Sequence, residues 1–257
     1  MIGAPTMDLR EALYTTRAMR RLRPDPVPLA VQARIMDAAV RAPSGGDAQQ
    51  WRFLLVDDSD VKARLGEPYR EAVAMLWKGH YAPQVRAAKE DPTAPESVRF
   101  TRLRASVQHL ADGFESVPLL LFAFSRGDHD GGSIYPAVWS AMLAARTEGV
   151  GSALTNVLGI FRADTTKAVL GVPPDRGWVM AATVTMGYPF GRWGVAARRP
   201  AHEVTHRNRW GQAAGFEIAA PLWGPNEQNP PEPVIPAPSE QGRPGVTYAP
   251  VLVPPDP

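Results

Sequence analysis

The chain contains no cysteine, which excludes disulfides, thiolate metal sites and cysteine-based catalysis. It also lacks a charge excess: 28 lysines and arginines face 26 acidic residues, a net charge of +2. Recognition of nucleic acid through bulk positive charge has no basis in such a balance. Long apolar runs are missing as well. The longest, Val117–Phe124, is far too short to span a bilayer. Met1 to Leu13 show no basic stretch followed by an apolar one, so no secretory signal is expected. These absences describe a soluble cytoplasmic protein without a membrane or nucleic-acid partner.

What is present is a substantial core. Of 257 residues, 44% are hydrophobic, enough for one large domain or two small ones. Periodicity predicts a helix over 8–22 that ends in arginines. A second runs from Pro28, suited to a first helical turn, to Val40. Helices are further expected over 60–80, 99–116 and 164–170. Ser133 is placed to cap a helix to Glu148 that Gly149 closes. The apolar face of that helix (Ile134, Ala137, Val138, Ala141, Met142, Ala145) is alanine-rich and permits close packing, inside the fold or across a dimer. Trp51–Val56, Pro118–Ser125 and Trp178–Met186 are apolar without alternation and predict buried strands. Helices and strands interleave, which gives an α/β or α+β class. Residues 216–257 hold 12 of the 27 prolines and almost no periodicity. The expected division is therefore a domain over 1–215 and a proline-rich arm over 216–257. Trp223, Ile235, Tyr248 and Val251-Leu252-Val253 imply that parts of the arm pack on something.

Two polar stretches carry the chemistry. Thr15-Thr16-Arg17-Ala18-Met19-Arg20-Arg21-Leu22-Arg23 is a cationic cluster whose guanidinium forks suit phosphate oxygens at any relevant pH. Ala42-Pro43-Ser44-Gly45-Gly46-Asp47-Ala48-Gln49-Gln50-Trp51-Arg52-Phe53 opens with small residues that let backbone N–H groups approach a ligand. The pairing suits a phosphorylated cofactor.

The order of these motifs resembles the nitroreductase family of FMN-dependent oxidoreductases. That family opens with an Arg-Arg-Ser-x-Arg-like stretch, here Thr16-Arg17-Ala18-Met19-Arg20. A Pro-Ser-x-x-Asn-x-Gln-Pro-Trp-x-Phe loop follows, here Pro43 to Phe53. A later Gly-Tyr-Pro…Arg-x-Pro segment corresponds to Gly187-Tyr188-Pro189 and Arg198-Arg199-Pro200. The resemblance covers about residues 8–210. It implies an α+β, α/β-sandwich-like fold, a central mixed sheet covered by helices, in an intertwined homodimer with FMN at the subunit interface. Arg17, Arg20, Arg21 and Arg198 would hold the FMN phosphate, beside Ala18. Pro43, Ser44 and Gly45 would line the ribityl chain and flavin edge, with Asp47 and Gln49 in the same loop. Leu154, Thr155 and Asn156 would bring a backbone N–H near flavin N5. Tyr69, Tyr135, Trp139 and the bulky segment 69–81 are candidates for the substrate wall. The implied activity is a two-step cycle. NAD(P)H reduces the flavin, and a small-molecule acceptor such as a nitroarene or quinone is then reduced in the same pocket. Thr16, Ala18, Asp47 and Gln50 depart from the family pattern, Asp47 standing where asparagine is usual.

Other readings stay open. The same scaffold hosts dehydrogenation, dehalogenation and flavin breakdown, and a sealed pocket would make a non-catalytic flavin binder. His202-Glu203-Val204-Thr205-His206 fits the zinc motif H-E-x-x-H, which needs both histidines on one helix face. Arg198-Arg199-Pro200 before it and Arg207-Asn208-Arg209 after it oppose a cation site in a long helix, so no metal is expected. Asp128-His129-Asp130-Gly131 lacks the closing glutamate of a calcium loop and reads as a turn. Gly149-Val150-Gly151 has no third glycine for a dinucleotide fingerprint. His80 and His109 are lone helical histidines.

Overall fold

A computed structural model describes residues 7–225 and 233–235. Tyr248 and Val251-Leu252-Val253 lie outside the described residues. The chain forms two compact units, Met1–Ala196 and Ala197–Pro257. The proline content changes later, near residue 216.

The first unit is built on four strands: β1 (Trp51–Val56), β2 (Leu119–Ser125), β3 (Gly151–Thr155) and β4 (Val179–Gly187). They lie in the order β1-β2-β4-β3 and pair antiparallel throughout. The mixed character expected of the sheet comes down to one parallel bridge, Ala18 with Ser152. All seven residues of β2 are buried, because helices cover both faces of this inner strand.

On one face, α2 (Leu29–Ala39) and α6 (Ile134–Thr147) pack together over Trp51, Leu121, Ala123 and Val184. Ala137, Ala141 and Ala145 are fully buried, so the alanine-rich face of α6 serves close packing inside the fold. The other face is covered by α3 (Ser59–Lys78), α5 (Pro95–Asp112) and the short α7 (Val157–Phe161), around Tyr69, Phe114, Phe122 and Leu158. Three further helices complete the described unit: α1 (Leu9–Thr15), α4 (Ala82–Glu90) and α8 (Ala163–Val169). The class is α+β. In the second unit the described structure is a single 3-10 turn, Ala201–Glu203, and an antiparallel bridge between Glu217 and Val234.

The structure corrects several sequence expectations. The helix expected over 8–22 stops at Thr15, because the Thr15 and Thr16 hydroxyls bond back to the carbonyls of Glu11 (2.6 Å) and Ala12 (2.7 Å). The chain then runs extended, bridging Ser152 through Ala18 and Pro189 through Leu22. Ser133 makes no side-chain cap. Asp128 caps α6 instead, its carboxylate accepting from the N–H groups of Ser133 and Ile134. Strand β3 and helices α4 and α7 were not anticipated. The helix expected over 99–116 begins four residues earlier, at Pro95, with proline in its first turn.

Candidate functional site

The arginine segment docks against β3. Met19 N donates to Ser152 O at 2.9 Å and Arg23 N to Tyr188 O at 2.7 Å. Close approach requires Gly151: a Cβ there would lie 2.9 Å from Met19 Cβ. In an extended segment successive side chains point to opposite sides. Arg20 and Leu22 therefore share one side, with Leu22 packed on the α3/α5 core. Arg17 and Arg21 belong to the other side and are exposed. The Arg17 guanidinium donates to Arg192 O at 2.8 Å. Among the described residues none of Arg17, Arg20 and Arg21 forms an ion pair, whereas Arg23 pairs with Asp25.

Arg20 is half-buried, and burial pulls its pKa below the ordinary guanidinium value, opposed by nearby Tyr69. It faces a cavity of about 160 Å³ lined also by Tyr69, Leu76, Trp77, Tyr81, Leu103, Val107, Leu154, Thr155 and Val157. Sequence-expected residues from four distant segments thus meet here: Arg20, Tyr69 with the bulky stretch to Tyr81, Leu154 and Thr155. Tyr69 is 1% exposed and stacks on Phe114 with ring centroids 3.9 Å apart. It is a buried residue of the cavity wall. Burial raises its pKa, against the Thr155 hydroxyl and Arg20, which lower it. Leu103 and Val107 of α5 line this cavity too. Their i,i+4 spacing on the cavity-facing side of α5 was the available signal.

The loop from Pro43 to Gln50 is wound tightly. Gly46, Asp47 and Gln49 have φ of 59°, 53° and 47°. Left-handed non-glycine residues are uncommon and cluster at ligand clamps. The Ser44 hydroxyl accepts from Gln49 N at 3.1 Å, and the Asp47 carboxylate accepts from the Gln49 amide at 2.8 Å. Gly45 N donates to the Ser133 hydroxyl at 3.2 Å, tying the loop to the start of α6. Ser133, read as a cap, is thus a loop anchor. Pro43 follows α2 at the loop's start.

From α6 the site continues to the end of β3. The Asn156 amide fits with its nitrogen toward the carbonyls of Thr155 (3.1 Å) and Ala181 (3.2 Å) and its oxygen accepting from the Tyr135 hydroxyl (3.2 Å). Tyr135 and Trp139, one turn apart on α6, are 39% and 41% exposed and present an aromatic surface. Arg52 does not neutralise Asp47. It donates to Trp51 O at 2.7 Å and lies over the Trp178 ring, where Arg126 also stacks.

Arg198 belongs to the second unit, where it is exposed and donates to Ala197 O at 2.9 Å. The zinc-motif geometry is not formed there. The 3-10 turn ends at Glu203, His202 Nδ1 accepts from Ile218 N at 3.1 Å, and the His206 ring packs on Trp210. Among the described residues no cluster of three or more histidines and carboxylates could hold a metal. Nor is any described helix long and apolar enough to cross a membrane.

This fold and this motif order have known counterparts. Residues 13–188 match the Nitroreductase family. The chain belongs to that family. An NADH dehydrogenase of Thermus thermophilus is 28% identical over 190 residues, which are 72% of this chain and 88% of the relative. A 5,6-dimethylbenzimidazole synthase of Rhodobacter capsulatus is 27% identical over 195 residues, 70% and 83% of the two chains. The crystal structure of an FMN-dependent nitroreductase from Mycobacterium smegmatis in complex with NADPH superposes with a TM-score of 0.56. It shares 22% identity and covers 79% of this chain and all of that one. This nitroreductase-family chain is an oxidoreductase homologue with the family's fold.

Proposed function

We propose that this chain binds FMN and uses NAD(P)H to reduce a small acceptor such as a nitroarene or quinone, as a homodimer. The observation that carries the reading is the pair of exposed guanidiniums, Arg17 and Arg21, on an extended segment locked to β3. They lack carboxylate partners among the described residues and stand in a nitroreductase-family fold. Unpaired arginines on one segment and a left-handed, glycine-bearing loop on another fit a phosphorylated ligand.

Arg17 and Arg21 would hold the phosphate through charge-assisted hydrogen bonds. Pro43, Ser44, Gly45, Asp47 and Gln49 would cradle the sugar-like chain, held in shape by the Ser44–Gln49 and Gly45–Ser133 bonds. Leu154, Thr155 and Asn156 would offer backbone donors, with Asn156 fixed by Tyr135. When bound, FMN supplies a carrier that accepts and returns a hydride, chemistry the side chains alone do not provide. Tyr135 and Trp139 would shield that centre from water and stack an aromatic acceptor.

The dimer is supported by apolar side chains left at the surface near the site: Tyr135, Trp139, Leu154 and, two-thirds exposed, Ile160 (66%) and Val179 (63%). A second reading, another flavin reaction on the same scaffold, is favoured by the dimethylbenzimidazole synthase relative. Three measurements decide. Purified protein is expected to be yellow, with about one FMN per chain, since the proposed arginine site takes one phosphate. It is expected to sediment as two chains at micromolar concentration and to oxidise NADH or NADPH only with an acceptor present. A protein that stays colourless with added FMN overturns the reading. A flavin-loaded protein inert toward both dinucleotides shifts it to the second.

A further inference from the structure

A second pair of guanidiniums meets at the end of the sheet opposite Gly151. On β1, Arg52 lies across from Phe124 of β2, and Trp51 across from Ser125, which faces Val179 of β4. One step further out, Gln50, Arg126 and Trp178 form the next row, and Arg126 N donates to Gln50 O at 3.0 Å. Residues two apart on a strand share a face. Arg52, Arg126 and Trp178 therefore come together on the α3 and α7 side, where Trp178 packs on the core. Arg52 and Arg126 are diagonal neighbours on adjacent strands, a relation that sets backbones roughly 7–8 Å apart and lets long side chains meet. Their guanidinium carbons lie 5.1 and 5.2 Å from the same indole centroid.

Both arginines are exposed at the surface and tied down by hydrogen bonds. Arg52 Nη1 donates to Trp51 O at 2.7 Å, and Arg126 Nε and Nη2 donate to Gln50 Oε1 at 3.2 and 2.8 Å. Gln50 stands where the family pattern has proline, which would give Arg126 no side-chain acceptor. Among the described residues neither arginine has a carboxylate partner. Asp128 is committed to the start of α6, and Asp175 pairs with Arg176 at 3.9 Å. Arg52 Nε and Nη2, Arg126 Nη1 and the Trp178 indole N–H are left without acceptors among the described residues. Like charges against one ring repel, and an anion between them relieves that repulsion. Guanidiniums already held in place lose little further freedom when it binds.

We propose that Arg52 and Arg126 form a clamp for a phosphate group, free or carried as a monoester by a small molecule, apart from the residues assigned to FMN. The two forks stand on different strands, and a tetrahedral phosphate offers oxygens to both, whereas a flat carboxylate fills one fork. Trp178 is the platform on which both guanidiniums stack.

The test is equilibrium dialysis of the purified, flavin-loaded protein against labelled inorganic phosphate at constant ionic strength. Retained phosphate is expected, displaced by phenyl phosphate and not by acetate. A tighter hold on phenyl phosphate assigns a monoester, and an equal hold assigns free phosphate. Arg52→Gln and Arg126→Gln are each expected to weaken retention about 10-fold or more, the value of one charged hydrogen bond, with FMN content unchanged. Gln50→Ala is expected to weaken it less, because only the anchor of Arg126 is lost. Arg176→Gln and Arg17→Gln are expected to keep it. A wild type that retains no phosphate overturns the proposal, as does retention unaltered in both Arg52→Gln and Arg126→Gln. Displacement by acetate as readily as by phenyl phosphate overturns it too. Retention lost only in Arg17→Gln places the anion in the proposed FMN site and also overturns it. If the wild type takes up no FMN, the cofactor reading falls, and the Arg17→Gln protein still decides the clamp.

Discussion

Arg146 is the most heavily committed charge in the first unit, and replacing it tests the account of how the arginine segment is held. Its side chain is 5% exposed. One nitrogen donates to Thr15 Oγ1 at 2.8 Å and another to Glu11 Oε1 at 2.9 Å, while the guanidinium carbon lies 4.1 Å from the Trp193 ring centroid. Burial lowers its pKa, with Glu11 opposing. Each charged hydrogen bond is worth roughly 1.5–3 kcal/mol and a desolvated cation–π contact about 2 kcal/mol. The gross sum overstates the effect, because the guanidinium's desolvation offsets several kcal/mol of it. Arg146→Met removes the cation and leaves Glu11 behind. Glu11 is 37% exposed and can turn to water, so the loss sits at the low end of the usual range for a broken pair, about 3 kcal/mol. In a chain of this size that lowers Tm by about 6–12 °C. Urea unfolding gives the same quantity independently. Arg146→Met with Glu11→Leu is expected to recover half or more, since removing both partners is often close to neutral. A single variant that loses less than about 1 kcal/mol, or a double variant no better than the single, would refute the reasoning.

Three further outcomes follow from the same geometry. Gly151→Ala drives a Cβ to 2.9 Å from Met19 Cβ, so it is expected to cost about 1–3 kcal/mol and to loosen FMN with the Arg17 segment; an unchanged Tm would deny the contact. The Glu148 carboxyl is held below its usual pKa chiefly by a two-point bond from Arg34, at 2.7 and 2.8 Å. A depressed pKa adds stability above the unfolded value, about 4.3, that is lost as pH falls through the lower folded value. Arg34→Gln is therefore expected to be slightly less stable at pH 7, the effect small because Arg34 is exposed, and the gap to close below pH 4; a gap that persists at pH 2 would refute it. Burial raises the pKa of Tyr69, which adds stability below the unfolded value of about 10 that is lost as pH rises toward the folded one. Tyr69→Phe is expected to flatten the alkaline fall in stability, and tyrosinate absorbance to show one late-ionising group in the wild type alone.

The elements legible in the sequence are those whose signal is local. β1, β2 and β4 were visible as apolar runs, and α2, α3 and α6 as periodic segments between proline, glycine and polar breaks. β3 was not, because Gly151-Ser152-Ala153-Leu154-Thr155 is short and rich in small residues. Its strand character comes from pairing with β4, thirty residues away. The first helix was overextended because Met19 and Leu22 continue an apolar pattern past Thr15 and Thr16, whose hydroxyls end it. The loop was recognisable from Pro43-Ser44-Gly45-Gly46, yet the left-handed turns at Asp47 and Gln49 were not. Arg20's surroundings come from α3, α5 and β3, which no local window contains.

The misread helix matters most, because it decides which arginines can act together. On a helix, Arg17, Arg20 and Arg21 would crowd one surface and serve one phosphate. In the extended segment the same spacing separates them: Arg17 and Arg21 face outward, and Arg20 turns inward with Leu22. What sets this division is register. Met19 packs against Gly151, and the Ala18–Ser152 and Leu22–Pro189 bridges fix the chain on either side of it. The Gly151 contact and the two bridges thus fix a segment in which Arg17 and Arg21 are exposed and Arg20 is half-buried beside Tyr69.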